Sequence, residues 1–271
     1  MARRGGRVVR TPADRKPRRP EARPASRPRR DTDRWVDEGP VPTSPPPTRA
    51  RKRPGRGRSA RRPSLPADVA ADLARTASPG RAAKLGVQLQ EAAGAYDAER
   101  YDEARRLLQP LAAAAPNVAA VRELLGLAAY RMGRWRQAVT ELEAAEELTD
   151  SVEQHPVLAD AHRALGHADA VERLWDELRR GGVGVEVLTE GRIVTAGARA
   201  DRGDLRSAIA LLEAGPVEVR RPREHHLRLW YALAALYEGA GDLPRARALL
   251  RRLVAEEPGF ADAATRLAGL G

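Results

Sequence analysis

The chain of 271 residues carries a formal net charge of +11 and contains no Cys, which excludes disulfides, thiolate metal sites and cysteine nucleophiles. The charge is unevenly distributed: residues 1–66 hold 21 of the 48 Lys and Arg but only 6 of the 37 Asp and Glu, so their net charge is +15 and that of residues 67–271 is −4. No apolar run approaches the roughly 18 residues of a membrane helix, and no apolar stretch follows the basic N-terminus as in a secretory signal, so the sequence predicts a cytoplasmic protein without a membrane span.

The N-terminal segment, residues 1–66, is predicted to be a disordered basic tail. Arg and Pro alternate through residues 15–30 and again through residues 49–64, and apolar residues are too sparse to form a core. Pro-rich pieces of this kind favour an extended polyproline II conformation. Arg clusters attract phosphate backbones, so the tail is predicted to contact RNA, DNA or a ribosome; the alternative is a tail that only solubilises. The residues that would make this contact are Arg18, Arg19, Arg29, Arg30, Arg51, Lys52, Arg53, Arg61 and Arg62.

Residues 67–271 are predicted to form one helical repeat domain. A first helix begins after Ser64, with Pro66 near its first turn, and ends at residues 78–80. Beyond it, nearly every segment is rich in Ala, Leu, Arg and Glu with apolar residues at helical spacing. No segment shows convincing strand-like alternation, and we interpret the ambiguous residues 183–188 as a loop that enters a helix. Helix breaks are predicted at Pro116, Pro156, residues 181–182, residues 215–216 and Pro258.

A repeated pattern of small residues divides this domain. A Gly recurs at intervals of 33, 37 and 38 residues, at Gly133, Gly166, Gly203 and Gly241. An Ala stands five residues after three of them, at Ala138, Ala208 and Ala246, whereas Val171 takes that place after Gly166. Ala104 is the equivalent of an earlier unit in which Glu99 replaces the Gly. Two helices joined at a Gly approach closely only where small residues meet, and each pair leaves an apolar face for the next pair to cover, so the period predicts a solenoid.

The pattern resembles the tetratricopeptide repeat (TPR) over about residues 81–260, with a degenerate unit at residues 155–178 that either stacks regularly or kinks the array. The residues that carry the resemblance include Ala104, Leu125, Gly126, Gly133, Ala138, Gly203, Ala208, Trp230, Gly241, Ala246 and Pro258. With its Arg/Pro-rich tail, the chain also resembles poorly characterised actinobacterial TPR-like proteins. The resemblance implies an all-α fold, a right-handed α-solenoid of about five helical hairpins behind the tail.

The sequence predicts a protein that is not an enzyme and holds neither a cofactor nor a metal. Residues 181–184 are rich in Gly, but they lack the preceding strand and following Lys of a phosphate-binding loop. His162 and His167 are five residues apart, about 140° around a helix, which does not suit a shared metal ion. Acidic pairs lie near predicted helix ends, where solvated charge explains them better than acid–base catalysis.

The surface most suited to a partner is the concave face made by the first helix of each hairpin. In the TPR register its exposed residues are Glu123, Leu127, Tyr130, Arg131, Arg228, Tyr231 and Glu238, and Tyr and Arg are common anchors for peptides. We therefore predict a scaffold that binds a protein, peptide or helix, with the tail tethered to an anionic partner. The alternatives are a nucleic-acid- or ribosome-associated factor whose tail is the main binding element, and a purely structural domain whose final helix, from Phe260, docks onto another chain.

Overall fold

The computed structural model describes residues 65–270, and within them the chain forms twelve α-helices and no β-strand. The predicted all-α fold is confirmed for this part of the chain, and the predictions for residues 1–64 lie outside the described residues. None of the described helices is both long and apolar enough to cross a membrane. The helices are α1 (Ala67–Thr76), α2 (Pro79–Asp97), α3 (Tyr101–Ala114), α4 (Ala119–Arg131), α5 (Trp135–Thr149), α6 (His155–Ala164), α7 (Ala168–Arg180), α8 (Val185–Asp201), α9 (Leu205–Glu213), α10 (Glu224–Gly239), α11 (Leu243–Glu256) and α12 (Ala263–Gly269).

Ten of these helices pair into five hairpins that stack in one row. Helix α2 packs with α3, α4 with α5, α6 with α7, α8 with α9, and α10 with α11. The second helix of each hairpin also contacts the first helix of the next one, and the first helices contact one another along the row. Helix α1 packs on α2 at one end, and α12 packs on α11 at the other. Because the hairpins contact chiefly their neighbours, the array is a solenoid, as predicted.

Four of the hairpins turn at a Gly in the left-handed region of the backbone. The φ angle is 67° at Gly133, 78° at Gly166, 84° at Gly203 and 77° at Gly241. Gly adopts this conformation without the steric cost that a Cβ atom brings. In the first hairpin Glu99 takes the same place with a φ of 58°. The turn therefore forms there even though the repeat has lost its Gly.

The alanines of the repeat lie inside the hairpins. Ala104, Ala138, Ala208 and Ala246 have no exposed surface, and Val171 is equally buried in the degenerate unit. Helices α6 and α7 of that unit pack on each other and on the neighbouring α5 and α8, so residues 155–178 form a hairpin within the row. The loop at residues 183–184 leads into α8, which begins at Val185, as the sequence indicated.

The final helix closes the C-terminal end of the row. Phe260 and Ala263 are buried against Trp230, Leu250 and Leu253 of the last hairpin. The segment from Phe260 therefore packs on its own chain as an end cap. This packing argues against the purely structural alternative, in which the same segment docks onto another chain.

Candidate functional site

One groove runs along the row of hairpins and is lined by the first helix of every hairpin. Its volume is about 570 Å³. We call this surface the concave groove. Its lining residues are Tyr96 from α2; Leu127, Tyr130 and Arg131 from α4; Glu153, Pro156, Val157 and Asp160 at α6; Glu186, Val187, Glu190 and Val194 from α8; and Arg223, Glu224, His225 and Arg228 at α10.

Helical periodicity explains why these residues share a surface. On α4, Leu127, Tyr130 and Arg131 are spaced by three and one residues, which places them on one face of the helix. The opposite face carries buried residues such as Leu125 and Ala128, which pack inside the array. The groove residues of α4 therefore lie on a face of the helix separate from that of its buried Leu125.

Polar side chains of the groove connect one first helix to the next. The guanidinium of Arg228 on α10 donates to both carboxylate oxygens of Glu190 on α8, each at 2.7 Å. The Tyr130 hydroxyl on α4 donates to Asp160 on α6 at 2.7 Å. Arg223 donates from the start of α10 to a Glu186 oxygen at 3.1 Å. These contacts order the side chains that line the groove in the absence of a partner.

The groove has an excess of negative charge. Its lining holds five acidic residues and three Arg, so its net charge is −2 when His225 is neutral. Three of the acidic residues, Glu153, Glu186 and Glu224, are exposed. The partly buried Leu127, Val157 and Val187 add apolar surface between the charged groups. A basic, partly apolar segment matches this combination better than an acidic one does.

The structure brings four of the seven predicted groove residues into the concave groove, namely Leu127, Tyr130, Arg131 and Arg228. Glu123 lies outside it and accepts a hydrogen bond from Gln154 at 2.7 Å. Tyr231 and Glu238 are also outside it, because the C-terminal cap contacts them both. The Tyr231 hydroxyl donates to Asp262 at 2.8 Å, and Arg266 pairs with Glu238 at 3.0 Å.

Helices α6 and α8 contribute residues to the groove that were not predicted from the sequence. Glu190 stands thirteen residues before its turn Gly203, and Arg228 stands thirteen before Gly241. This shared offset is a signal that identifies Glu190 as the equivalent of Arg228, one hairpin earlier. The same offset reaches the degenerate unit, because Glu153 stands thirteen residues before Gly166, just ahead of α6, and also lines the groove.

The histidines form local contacts that the sequence did not indicate. His167 lies beyond the end of α6, so the predicted separation of 140° around one helix does not apply to it. The Nδ1 atoms of His162 and His167 are 3.1 Å apart. Elsewhere, ligand atoms of Glu146, His155 and Glu177 lie within 4.8 Å of one another. In that cluster His155 Nε2 is 3.0 Å from a Glu146 oxygen, so this pair can be satisfied by its own hydrogen bond. The absence of a bound metal or cofactor stays a prediction.

Two buried histidines have pKa values below the ordinary one. Burial lowers the pKa of His162 from 6.5, with Glu143 acting in the opposite direction. Burial and the neighbouring His225 lower the pKa of His226 in the same way. A buried imidazolium is costly because its charge is poorly solvated, so the native fold favours the neutral rings.

We expect the fold to lose stability as the pH falls below about 6.5, where an unfolded His takes up its proton but the native His162 and His226 resist it. The unfolded state then binds more protons than the native state. The stabilisation that the two neutral histidines contribute is therefore complete above the pKa of an unfolded His, and it is lost as the pH falls toward their lower native pKa. Urea unfolding at about pH 7.5 and about pH 5.5 measures the change. His162→Asn keeps a polar atom near Nδ1 but cannot be protonated, and it should reduce the difference. An unchanged difference in this variant would contradict the role of His162.

The comparisons with known proteins agree with the geometry. A family model described as tetratricopeptide repeat matches residues 199–270, from the end of α8 through α12. The crystal structure of a thermophilic TPR protein from Thermus thermophilus has a TM-score of 0.53 and 20% identity, covering 69% of this chain and 98% of that one. A putative kinesin light chain from Podosopora anserina with nearly identical TPR-like repeats has a TM-score of 0.51 and 22% identity, covering 64% and 94%. A search of curated proteins gives no significant match. The likenesses show a TPR-type fold and confirm the resemblance noted in the sequence.

Proposed function

We propose that this TPR-type solenoid is a non-catalytic scaffold that holds a peptide or helix of a partner protein in the concave groove. The observation that carries the proposal is the continuity of the groove: all five first helices line a single groove with a volume of about 570 Å³. TPR solenoids generally serve as scaffolds for protein–protein interaction, and stacked repeats create extended concave surfaces suited to that purpose.

The polar contacts of the groove support this function because they prepare the surface for binding. Arg228 and Glu190 are held by a bidentate pair, and Tyr130 is held by Asp160. Side chains that are already ordered lose little conformational entropy when a partner binds. The apolar surface of the partly buried Leu127, Val157 and Val187 then supplies the area that binding removes from water.

A second candidate function rests on the tail. Residues 1–66 carry a net charge of +15, and a segment of this charge binds nucleic acid or ribosomal RNA without reading sequence. In this alternative the tail is the main binding element, and the solenoid only supports it. If about 6–10 phosphates are neutralised, the affinity falls by about 10³ to 10⁵-fold between 50 and 200 mM salt. A nucleic-acid complex that is insensitive to salt would exclude the tail as its main contact.

The groove proposal is tested by capturing partners with the full-length protein and its Val187→Arg variant, from nuclease-treated lysate of the native host. Val187 lines the groove, and the added guanidinium both fills contact space and repels a basic segment. Val185→Arg is a matched control: Val185 lies on the same helix and is exposed, but it does not line the groove. Quantitative mass spectrometry should show partners that are reduced at least tenfold by the groove change and retained by the control. Partners retained equally by both variants would refute groove binding.

A further inference from the structure

We propose that Glu146, His155 and Glu177 form a binding site for a divalent metal ion, and that Zn²⁺ suits it best. None of the three residues lines the concave groove, so the site goes beyond the proposed function and does not depend on it. The proposal departs from the prediction that the chain holds no metal. That prediction searched for fixed spacings, whereas these residues are brought together only by the packing of three helices.

The ligand atoms converge from three helices. Glu146 lies in the last turn of α5, His155 is the first residue of α6, and Glu177 lies in the last turn of α7. One ligand atom from each residue lies within 4.8 Å of the other two, and His155 Nε2 is 3.0 Å from a Glu146 oxygen. Tetrahedral Zn²⁺ needs N and O ligand atoms about 3.4 Å apart. Both Glu side chains are partly exposed, so small rotations of them complete the set.

The surroundings of His155 point to a cation beside Nε2. The residue is only 2% exposed, and its Nδ1 atom is 3.4 Å from the carbonyl oxygen of Leu174. Both ring nitrogens therefore face oxygens that only accept hydrogen bonds, whereas a neutral imidazole has a single N–H. When Nδ1–H donates to Leu174, the lone pair of Nε2 faces the carboxylate of Glu146, and a metal ion between them is bound by both. Metal-ligating His residues commonly donate their other N–H to a backbone carbonyl in this way.

Charge and space also favour an ion. Two carboxylates and a neutral imidazole carry a charge of −2, which a divalent cation cancels. The Nε atom of Arg173 lies 3.9 Å from Glu177, but 61% of the Arg173 side chain is exposed, so this pair is weak. A cavity of about 40 Å³ is lined by Glu146 and His155, and a water molecule needs only about 10–15 Å³. Water can therefore supply the fourth ligand of a tetrahedral Zn²⁺ with three protein ligands.

A bound ion would connect two hairpins. Glu146 belongs to the hairpin of α4 and α5, whereas His155 and Glu177 belong to the degenerate hairpin of α6 and α7. The site exists only when these hairpins are stacked, so binding of the ion stabilises the stacked state by mass action. The ion would thus strengthen the array at the unit whose repeat pattern is weakest.

Isothermal titration calorimetry with ZnCl₂ tests the site in the full-length protein, which is prepared without an affinity tag and dialysed free of EDTA beforehand. We expect one Zn²⁺ per chain with a Kd of about 1 μM or lower. Mg²⁺ at the same concentration should not compete, because it prefers six oxygen ligands in octahedral geometry.

Two charge-matched variants identify the ligands. Glu146→Gln with Glu177→Gln removes both carboxylates, preserves the size of the side chains and leaves the buried His155 in place. Glu147→Gln with Asp176→Asn removes the same charge from exposed neighbouring positions of the same two helices. We expect the first variant to bind Zn²⁺ at least about 100-fold more weakly, since even the hydrogen-bond partners of metal ligands contribute about 10–100-fold. The second variant should keep the affinity of the unmodified protein.

Stability supplies an independent readout. Zn²⁺ should raise the Tm of the unmodified protein and slow hydrogen exchange in α5, α6 and α7. It should not raise the Tm of the variant that lacks both carboxylates. His162→Asn with His167→Asn controls for the other His pair, whose Nδ1 atoms are 3.1 Å apart, and this variant should retain both the binding and the rise in Tm.

Three outcomes would overturn the proposal: no binding by the unmodified protein at about 100 μM Zn²⁺, equal loss of affinity in the two charge-matched variants, or loss only in the His162 and His167 variant. The first shows that a proton alone holds His155 against Glu146, the second shows general attraction, and the third shows a site elsewhere. All three leave the groove untested and intact. Equal capture of partners by Val187→Arg and Val185→Arg refutes the proposed function whether or not Zn²⁺ binds.

Discussion

Replacement of Trp230 by Ala is expected to lower the free energy of unfolding of the last hairpin by about 3–5 kcal/mol, the usual cost of deleting a buried Trp side chain. The Trp230 side chain has no exposed surface. Its indole nitrogen donates to the carbonyl oxygen of Val217 at 2.8 Å, and the guanidinium of Arg252 lies 4.0 Å from its ring centroid. Truncation leaves a cavity and also removes a hydrogen bond and a cation–π contact.

Trp135→Ala is the matched control, because Trp135 is only half-buried and contacts Tyr130 at its edge. Urea unfolding followed by circular dichroism measures the free energy of unfolding of both variants. Hydrogen exchange shows which helices lose stability. Since each hairpin depends on its neighbours, the faster exchange should concentrate in α10, α11 and α12. Equal losses in both variants, or exchange raised evenly along residues 65–270, would show that Trp230 does not anchor the C-terminal end.

The hairpins could be predicted from the sequence because their determinants are local. A turn Gly and the Ala five residues later, such as Gly133 and Ala138, act within one hairpin, so a fixed spacing carries the information. Glu99 shows that the rest of a hairpin can hold the turn in place without a Gly. A left-handed residue with a side chain costs about 1–2 kcal/mol, and the packing around the buried Ala104 of the same hairpin outweighs that cost.

The groove could be predicted only in part because an open helix face depends on distant residues. Tyr231 lies on α10 with Arg228, yet Asp262 and Arg266 from the cap contact it, and no spacing within α10 reveals this. The polar pair of Arg228 and Glu190 likewise joins residues 38 apart, and it forms only when successive first helices stack. Periodicity therefore predicts which face of a helix is polar, whereas tertiary packing determines which part of that face stays accessible.

Adding a side chain at Gly126 is expected to separate helices α4 and α5. A Cβ atom there would lie 2.7 Å from Cγ and 2.9 Å from Cδ2 of Leu142, and 3.1 Å from the backbone nitrogen of Leu142. We expect Gly126→Ala to lower the free energy of unfolding by about 1–2 kcal/mol and Gly126→Val by about 3 kcal/mol, since overpacking outweighs the helix propensity gained. Gly94→Ala in α2 is the control: no atom lies within 4 Å of its Cβ position, so propensity alone should raise stability by about 1 kcal/mol.

A double-mutant cycle distinguishes this crowding from a general effect on α4. Leu142→Ala removes the two side-chain atoms that meet the new Cβ, although it leaves the backbone nitrogen at 3.1 Å. In that background the cost of Gly126→Ala should decrease, which gives a coupling free energy of about 1 kcal/mol between the two sites. A cost that is unchanged by Leu142→Ala would assign the crowding to the backbone. A stabilising Gly126→Ala would show that α4 and α5 can separate freely, and the small residues of the repeat would then not determine how closely its helices pack.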